Sequence, residues 1–518
     1  MLIPSTKADY VKLPAMSTDI LLTTLNARYM HTAFGLRYLQ ANIGELETKT
    51  ALKEFTIQEL PLNITEQLLA YKPKIICFSV YIWNITEITQ IILLLKQIAP
   101  EVTIILGGPE VSHHPDSPAI ATQADYIISG PGEQCLKVLC QAILNGQPPT
   151  EKMIKGIATP LDQLKLPYDF YTDEDIRNRL IYVEASRGCP FKCEFCLSSL
   201  DKTATAFPLE PFLEAMDKLL KRGVRNFKFI DRTFNLKVAT SVRILEFFLD
   251  RMTDDLYLHF EVIPDNLPDK LKVILERFPN NSLQFEIGVQ TFDPDIQTLI
   301  SRKQNNDKTK DNIRWLRQNT GAHLHTDLIF GLPEDTLDNF ADSFNQLIAL
   351  EPQEIQLGIL KRLRGAPLNR HNDHYALRFN PQAPYNILST SKINFQEMQQ
   401  VSRFARFWDM IGNSGRFSNT LPLILADKPF NHFLQLSEQL YQLAGSSWKI
   451  SLKRQFELIY VILTTHFEHD TVVVQGALNQ DYQRNKIKGL PNYDQADKIT
   501  KTPRTGTANK RQQLHQSH

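Results

Sequence analysis

Twice along this chain, short apolar runs alternate with stretches of helical spacing, and no other feature limits the fold as tightly. The first series is DILLTTLNA (19–27), IICFSVYIWN (75–84), TIILGGPEVS (103–112) and ADYIISG (124–130). Between these runs lie GLRYLQANI (35–43), NITEQLLAY (63–71) and ITEITQIILLLKQIA (85–99), whose apolar residues recur with the helical period. Strands joined through helices form parallel sheets, so residues 18–145 are expected to fold as a doubly wound α/β domain. Its Gly-containing turns, at Gly35, Gly107-Gly108 and Gly130 to Glu133, fall at the carboxyl ends of the strands. Open α/β sheets bind ligands at those ends.

A Pro-rich polar stretch, 146–178, reads as a linker. The second series then runs through IYVEASRG (181–188), NFKFID (226–231), LYLHFEVIP (256–264), SLQFEIGVQ (282–290), AHLHTDLIFGL (322–332) and EIQLGILKRL (354–363). Six strands with crossover helices predict an incomplete barrel, a partial (β/α)6 fold over 179–385, with its site at the carboxyl ends of the strands. Residues 386–480 lose the rhythm and predict a mostly helical region. Residues 481–518 are polar and read as a disordered tail.

Lysine plus arginine equal aspartate plus glutamate, 57 of each. That balance gives no basic surface for nucleic acid and none for a charged membrane face, so neither is expected as a partner. The first residues, MLIPSTKADYVKLPAMSTD, lack an apolar core long enough for a signal peptide, and no apolar run approaches the length of a spanning helix. A cytoplasmic protein is expected.

Only six cysteines occur, and three of them, Cys189, Cys193 and Cys196, fall in the C-x3-C-x2-C of GCPFKCEFC, directly after a strand. A structural zinc site wants a fourth ligand, and no Cys or His stands nearby. A disulfide with one spare thiol fits poorly with a reducing compartment. Three thiolates suit a four-iron cluster with one iron left open for a small molecule. Gly188 and Pro190 favour a non-helical loop around it.

The motif, with Phe195 between the second and third cysteines, resembles the signature of the radical S-adenosylmethionine (SAM) superfamily, and the resemblance extends over about 180–370. It implies a [4Fe–4S] cluster on Cys189, Cys193 and Cys196, with SAM chelating the fourth iron. It also implies reductive cleavage of SAM to a 5′-deoxyadenosyl radical, and an electron donor such as a flavodoxin or ferredoxin. Phe195 would pack beside the adenine. Where the superfamily places Gly-Gly-Glu, this chain has FIDRTFN, and Asp231 is read either as acceptor for the SAM amine or as a cap of the next helix. Glu286 is read as pointing into the barrel mouth, toward the SAM ribose or carboxylate, with Gln290 on the same face. Arg302 and Lys303 are read as a solvated helix face rather than as partners of a carboxylate. Gly331, in DLIFGLPEDT, would let the backbone approach the adenine.

The turns of residues 18–145 resemble those of the cobalamin-binding (B12-binding, Rossmann-like) domain found in front of such barrels. That resemblance implies cobalamin as second cofactor. Gly35, Gly107 and Gly108 would let the backbone lie against the corrin edge or nucleotide tail. Ser79 and Asn84 are read as partners of corrin amides or the tail, or as ordinary strand-end polar groups, and Glu133 as a helix cap. The loop NARYMHTAFG departs from the D-x-H-x-x-G pattern that supplies a cobalt-ligating histidine. Cobalamin without a protein His ligand is therefore expected, with Tyr29, Met30 or Phe34 packing on its lower side. His31, His113 and His114 are read as loop residues.

The C-terminal piece RFARFWDMIGNSGRFSNT (403–420) resembles an uncharacterised extension on one branch of these proteins, and is read as an amphipathic packing helix ahead of a substrate-binding element. No residue reads as a nucleophile beside its base, so catalytic side chains and the substrate stay open. Two reactions follow from the cofactor pair: methylation of an unactivated carbon, and cobalamin-assisted rearrangement or ring formation without methyl transfer. A third reading, an RNA-modifying methylthiotransferase, predicts a second cluster on three N-terminal cysteines; Cys77, Cys135 and Cys140 stand there, but Cys77 falls inside a strand-like run, the usual spacing is absent and no basic RNA-binding appendage follows. A fourth is a non-catalytic, cofactor-loaded sensor or carrier.

Overall fold

The computed structural model describes residues 18–489, 491 and 493. The expectation on the first residues, and most of that on the tail, lie outside these. The chain divides into two compact units: residues up to 343 with 350–394, and residues 344–349 with those from 395 onward.

The first unit holds two six-stranded parallel sheets. The N-terminal sheet contains β1 (Ile20–Asn26), β2 (Thr50–Thr56), β3 (Ile75–Ser79), β4 (Thr103–Gly107), β5 (Tyr126–Ser129) and β6 (Met153–Lys155). Their order is β2-β1-β3-β4-β5-β6. The direction of winding therefore reverses between β1 and β3, and a crevice opens at their carboxyl ends. Side chains of helices Pro61–Leu69 and Ile85–Ile98 fill the core on one face. Those of Phe34–Asn42 and Glu133–Leu144 fill the core on the other. Every residue of β1 is buried, as a central strand covered on both faces must be.

Two strands went unread in the sequence. β2 is an edge strand whose middle residues are only half-buried, so its Lys and Glu broke the apolar signal. β6 lies inside the expected linker and pairs in parallel with β5. Parts of the remainder, around Lys165 and over 172–178, are also bonded into the fold. Asn42 and Lys165 exchange two hydrogen bonds of 3.0 Å, and Thr172 and Asp175 form a capping box on helix Asp173–Asn178. Asp175 then joins a buried ion network, in which Arg37 Nη2 lies 2.8 Å from both Glu54 Oε2 and Asp175 Oδ2, and Arg179 Nη1 lies 2.9 Å from Glu54. A polar, Pro-rich composition does not distinguish a free linker from one held by paired polar groups.

The second sheet follows: β7 (Ile181–Val183), the short pair β8 (Ser186–Arg187) and β9 (Thr205–Ala206), then β10 (Asn226–Phe229), β11 (Tyr257–Val262), β12 (Leu283–Gln290), β13 (His323–Phe330) and β14 (Glu354–Ile359). Its order is β14-β13-β12-β11-β10-β7, the six-stranded open barrel expected from the sequence. β8 and β9 pair antiparallel and bracket the cysteine loop. Along β12 and β13 burial alternates residue by residue, so one face packs on helices and the other lines the lumen.

The second unit is helical: Phe395–Ile411, Leu421–Leu425, Pro429–Ala444, Leu452–Val461 and Thr471–Arg484. Phe404, Trp408 and Phe433 pack there with ring centroids about 5 to 6.4 Å apart. Phe404, Phe407, Trp408 and Ile411 are buried, as the amphipathic reading of 403–420 requires. Asp481, fully buried, accepts from Asn419 and Thr420. Residues 481–484, expected in the tail, thus close the last helix. Among the described residues no helix is long and apolar enough to cross a membrane.

Candidate functional site

Gly188 opens the cysteine loop at φ +88°, where a Cβ would lie 2.5 Å from the Thr203 carbonyl oxygen. Only glycine fits so close a return of the chain. The loop closes through Cys189 N–H donating to Asp201 O at 2.9 Å. Its middle is clamped by Glu194, 4 % exposed, which accepts from Ser301 Oγ at 2.8 Å and from Arg370 Nη2 at 2.5 Å, and whose other oxygen lies 2.9 Å from His371 Nε2. Cys189, Cys193, Phe195 and Cys196 border one cavity of about 380 Å³ at the carboxyl ends of β11 to β13. Burial pushes the Cys189 thiol up, and the neighbouring Cys196 and Cys193 add to the rise. Burial raises Cys193 too, against the pull of Arg302. Among the described residues no three potential ligands close on a single metal ion. Three thiols bordering one cavity offer a four-iron cluster one thiolate for each of three irons.

The lumen beneath that cavity is ionised. Glu286 Oε1 accepts from Lys228 Nζ at 2.8 Å and lies 3.0 Å from His259 Nε2. Burial pushes the Glu286 carboxyl up, but His259 and Lys228 outweigh it and hold the group below the usual carboxylate range. Glu261 carries a bidentate pair with Arg232, 2.8 and 2.9 Å. Asp327 lies 3.4 Å from His325 Nε2, and Lys228 and Arg302 act on it only at longer range. Burial, with Glu286 and Glu261 nearby, pushes it up to about 8, so it holds a proton at neutral pH.

A second cavity, about 650 Å³, lies between the two sheets. It shares Ser198 and Arg232 with the cysteine cavity. A third, about 280 Å³, occupies the crevice of the N-terminal sheet and shares Gly35, Tyr38, Tyr81 and Arg187 with the second. The three therefore adjoin in sequence, each sharing wall residues with the next. Arg187 stands at the junction, 2.6 Å from Glu133 and 2.8 Å from Glu184, with its guanidinium over the Tyr38 ring. Burial pushes Glu184 up to about 7, against the pull of Arg187.

The residues expected to hold cobalamin divide. Gly35 and Gly107 line the crevice, and a Cβ on either would meet nothing nearer than 4.0 Å. The protein itself leaves those positions open, as a ligand cradle would. Tyr38 Oη, buried in the wall shared by both cavities, faces the Glu184 carboxylate. The open positions at Gly35 and Gly107 fit a large cofactor. Gly108 also lines the crevice, but its own fold explains it: φ is +104° and a Cβ would lie 2.5 Å from Val80 O. Ser79 borders the crevice.

Several expectations need correction. Asn84 is fully buried, with Oδ1 accepting from Tyr81 N and Nδ2 donating to Leu25 O and Thr24 Oγ1. It turns the chain after β3 and has nothing left for a corrin amide. Glu133 does not cap its helix and pairs with Arg187 instead. Tyr29 is half exposed and bonded to Glu174, and Met30 is half exposed. Of that trio only Phe34 lines the large cavity, where the stacked Tyr81 and Trp83 (centroids 4.3 Å, 7°) also stand. His31 lines it as well, with Nδ1 2.8 Å from Tyr182 Oη. Asp231 serves neither expected role. Its oxygens accept from Ala185 N and Ser186 Oγ, bracing the end of β7, and burial pushes it up to about 6. Gly331 does not border the cavity; at φ +91° it makes the turn after β13, its N–H donating to Asp335. Glu286, Gln290, Arg302 and Lys303 all line the cysteine cavity, so the last two are not merely a solvated face. Cys77 and Cys140 are buried in the N-terminal core and Cys135 lies on helix Glu133–Leu144. Cys77 and Cys140 are neighbours and Cys135 packs against the same core, yet among the described residues the three form no group that could hold a metal ion.

The sequence also missed Arg187, Tyr38, Lys228 and Glu194. Only a period-two reading of the NFKF of β10 would have flagged Lys228.

Comparison with known proteins agrees with this geometry. The B12 binding domain matches residues 20–139, the Radical SAM superfamily residues 183–347, and a protein family of unknown function, DUF4080, residues 373–517. The chain is 26 % identical over 369 residues to the cobalamin-dependent radical SAM methyltransferase TokK of Streptomyces tokunonensis, covering 64 % of this chain and 52 % of that one. It is 24 % identical over 366 residues to the 2-(S-pantetheinyl)-carbapenam-3-carboxylate methyltransferase of Streptantibioticus cattleyicolor, with the same shares covered. The chain thus spans about half the length of these relatives. Among solved structures it is similar to the radical SAM methyltransferase TsrM of Kitasatospora setae with cobalamin and a [4Fe–4S] cluster bound, at TM-score 0.56 and 17 % identity, over 71 % of this chain and 81 % of that one. That likeness is one of fold. Domain content and fold together make this chain a cobalamin-binding-domain-containing radical SAM protein with a DUF4080 region at its C-terminal end.

Proposed function

We propose that this protein is a radical SAM enzyme that uses cobalamin as second cofactor and methylates an unactivated carbon of its substrate. One observation carries the reading: the cysteine cavity, the inter-sheet cavity and the crevice of the N-terminal sheet adjoin, the first two sharing Ser198 and Arg232 in their walls and the last two Gly35, Tyr38, Tyr81 and Arg187. When bound, the cluster and SAM supply a 5′-deoxyadenosyl radical and cobalamin supplies the methyl group.

The chain's own residues do the rest. Cys189, Cys193 and Cys196 would hold the cluster, with Phe195 on the same wall. Gly35, Gly107, Gly108 and Ser79 form the cradle for cobalamin, with Tyr38 in its wall. Lys228 and Arg232 each neutralise a carboxylate of the lumen, while protonated Asp327 presents a neutral donor beside Glu286. A low-potential electron donor such as a flavodoxin or ferredoxin is the expected partner, and the cytoplasm the expected compartment. The TokK and carbapenam relatives favour methyl transfer over rearrangement.

The test is anaerobic reconstitution of the full chain with iron, sulfide and hydroxocobalamin, followed by iron and cobalt counts. Close to four irons and one cobalt per chain are expected, with 5′-deoxyadenosine formed on reduction with SAM. A folded chain that takes up no cluster overturns the proposal. Cluster without cobalt reduces it to a plain radical SAM enzyme.

A further inference from the structure

The turn at residues 300–302 is zipped to the cysteine loop. Glu194 N–H donates to Ile300 O at 3.0 Å, and Ser301 Oγ donates to Glu194 Oε1 at 2.8 Å. Ser301 itself stands at φ +55°, left-handed and not glycine, a conformation kept only where surrounding bonds impose it. The next residue, Arg302, has its N–H tied to Gln297 O at 2.8 Å. Its guanidinium is held on two further sides: Nε and Nη2 donate to Gln304 Oε1 at 3.0 and 2.8 Å, and Nη2 also donates to Gly288 O. That carbonyl is presented by an irregularity in β12, where the register shifts between Gly288 and Gln290 and Gln290 takes φ +70°. The remaining nitrogen, Nη1, lies 3.6 Å from Cys193 Sγ.

These partners are all uncharged. Among the described residues no carboxylate lies within ion-pair distance of Arg302. Arg232, also on the cavity wall, has its charge matched by Glu261. Arg302 therefore directs an immobilised positive charge at one ligand sulfur, with Asp327 facing it only across the cavity.

We propose that Arg302 is a positioning residue that fixes Cys193 and raises the electron affinity of the cluster held by the three cysteines. The inference rests on the function proposed above. One-electron reduction adds a negative charge to the cluster. A nearby fixed cation that also donates to a sulfur stabilises the reduced form over the oxidised one. The electron comes from an external low-potential reductant.

The experiment is a redox titration of the reconstituted full chain with dithionite, followed by electron paramagnetic resonance. In Arg302→Met with full iron content, the midpoint moves negative, and at the wild-type midpoint the reduced fraction falls several-fold. Arg302→Lys keeps the charge without the fork and shifts less. Gln304→Leu frees the guanidinium and shifts less still, in the same direction. A fully loaded Arg302→Met whose midpoint coincides with wild type overturns the inference. Where Arg302→Met holds no cluster, unmoved midpoints in both Arg302→Lys and Gln304→Leu overturn it. A wild-type chain without cluster overturns the proposed function instead, so the two failures are separable.

Discussion

Both sheets of the first unit have six parallel strands, yet they carry their sites in opposite ways. In the N-terminal sheet β1, β3 and β4 are buried on both faces. Their side chains are used up in packing, so the site lies beyond the strand ends, on glycines and turns. In the barrel sheet β12 and β13 bury alternate residues only. Their other residues, Glu286 and Asp327 among them, face the lumen, and the site is made of strand side chains. A sheet covered by helices on both sides offers backbone to a ligand, while one covered on a single side offers chemistry.

If that contrast holds, the two sites load independently. Replacing Cys189, Cys193 and Cys196 by Ala abolishes iron uptake and leaves cobalamin binding in place. Loss of both, measured by metal counts on folded protein, breaks the comparison. Next in size is Arg37→Met. It takes one of two cations from Glu54 and Asp175, both of which keep Arg179, and is expected to cost about 1–3 kcal/mol in denaturant unfolding. Because the network ties β2 to the segment before the barrel, both halves of the unit should lose stability together.

The titratable lumen sharpens the contrast through pH. Asp335, 2 % exposed, sits in the turn after β13, and burial raises it from its ordinary 3.8 to about 8. The folded chain keeps that proton up to about pH 8 while the unfolded chain releases it near 3.8. Between those values the native state binds more protons, so its stability falls as pH rises. Asp335→Asn removes this share of the fall, on the order of a few kcal/mol at most across the window, read from melting temperatures at pH 5 and pH 8. An unchanged slope contradicts it. The smallest effect is expected of Gly107→Val, which places a side chain in the crevice. Cobalamin binding weakens roughly tenfold, about 1.4 kcal/mol, with iron content and melting temperature unchanged. Equal loss of iron would mean that the two sites are not separable.

Much of this was legible in the residues. The apolar runs of 19–27 and 103–107 announce buried strands, and the alternation of LQFEIGVQ announces a lumen-facing Glu286. The cysteine spacing announces the cluster loop. Three local errors share one cause: β6, Asn84 and Asp231 are polar or lie in polar stretches, and their partners are distant in sequence. Asp231 meets Ala185, 46 positions away, and Asn84 meets Leu25, 59 away. Arg302 was taken for surface because its neighbours Ser301 and Lys303 are polar, while the sulfur that it meets lies 109 positions earlier.

What the sequence determined by itself is therefore what repeats over a few residues: burial period, the alternation of strands with helices, and three thiols on one loop. Tertiary structure alone decided the order of the strands, that three cavities adjoin, that Arg187 stands where two of them meet, and that Arg302 points at Cys193. Periodicity is enforced locally, by which face must leave water. The meeting of two charged or polar groups far apart in the chain is enforced only when packing brings them together and burial makes an unpaired partner costly.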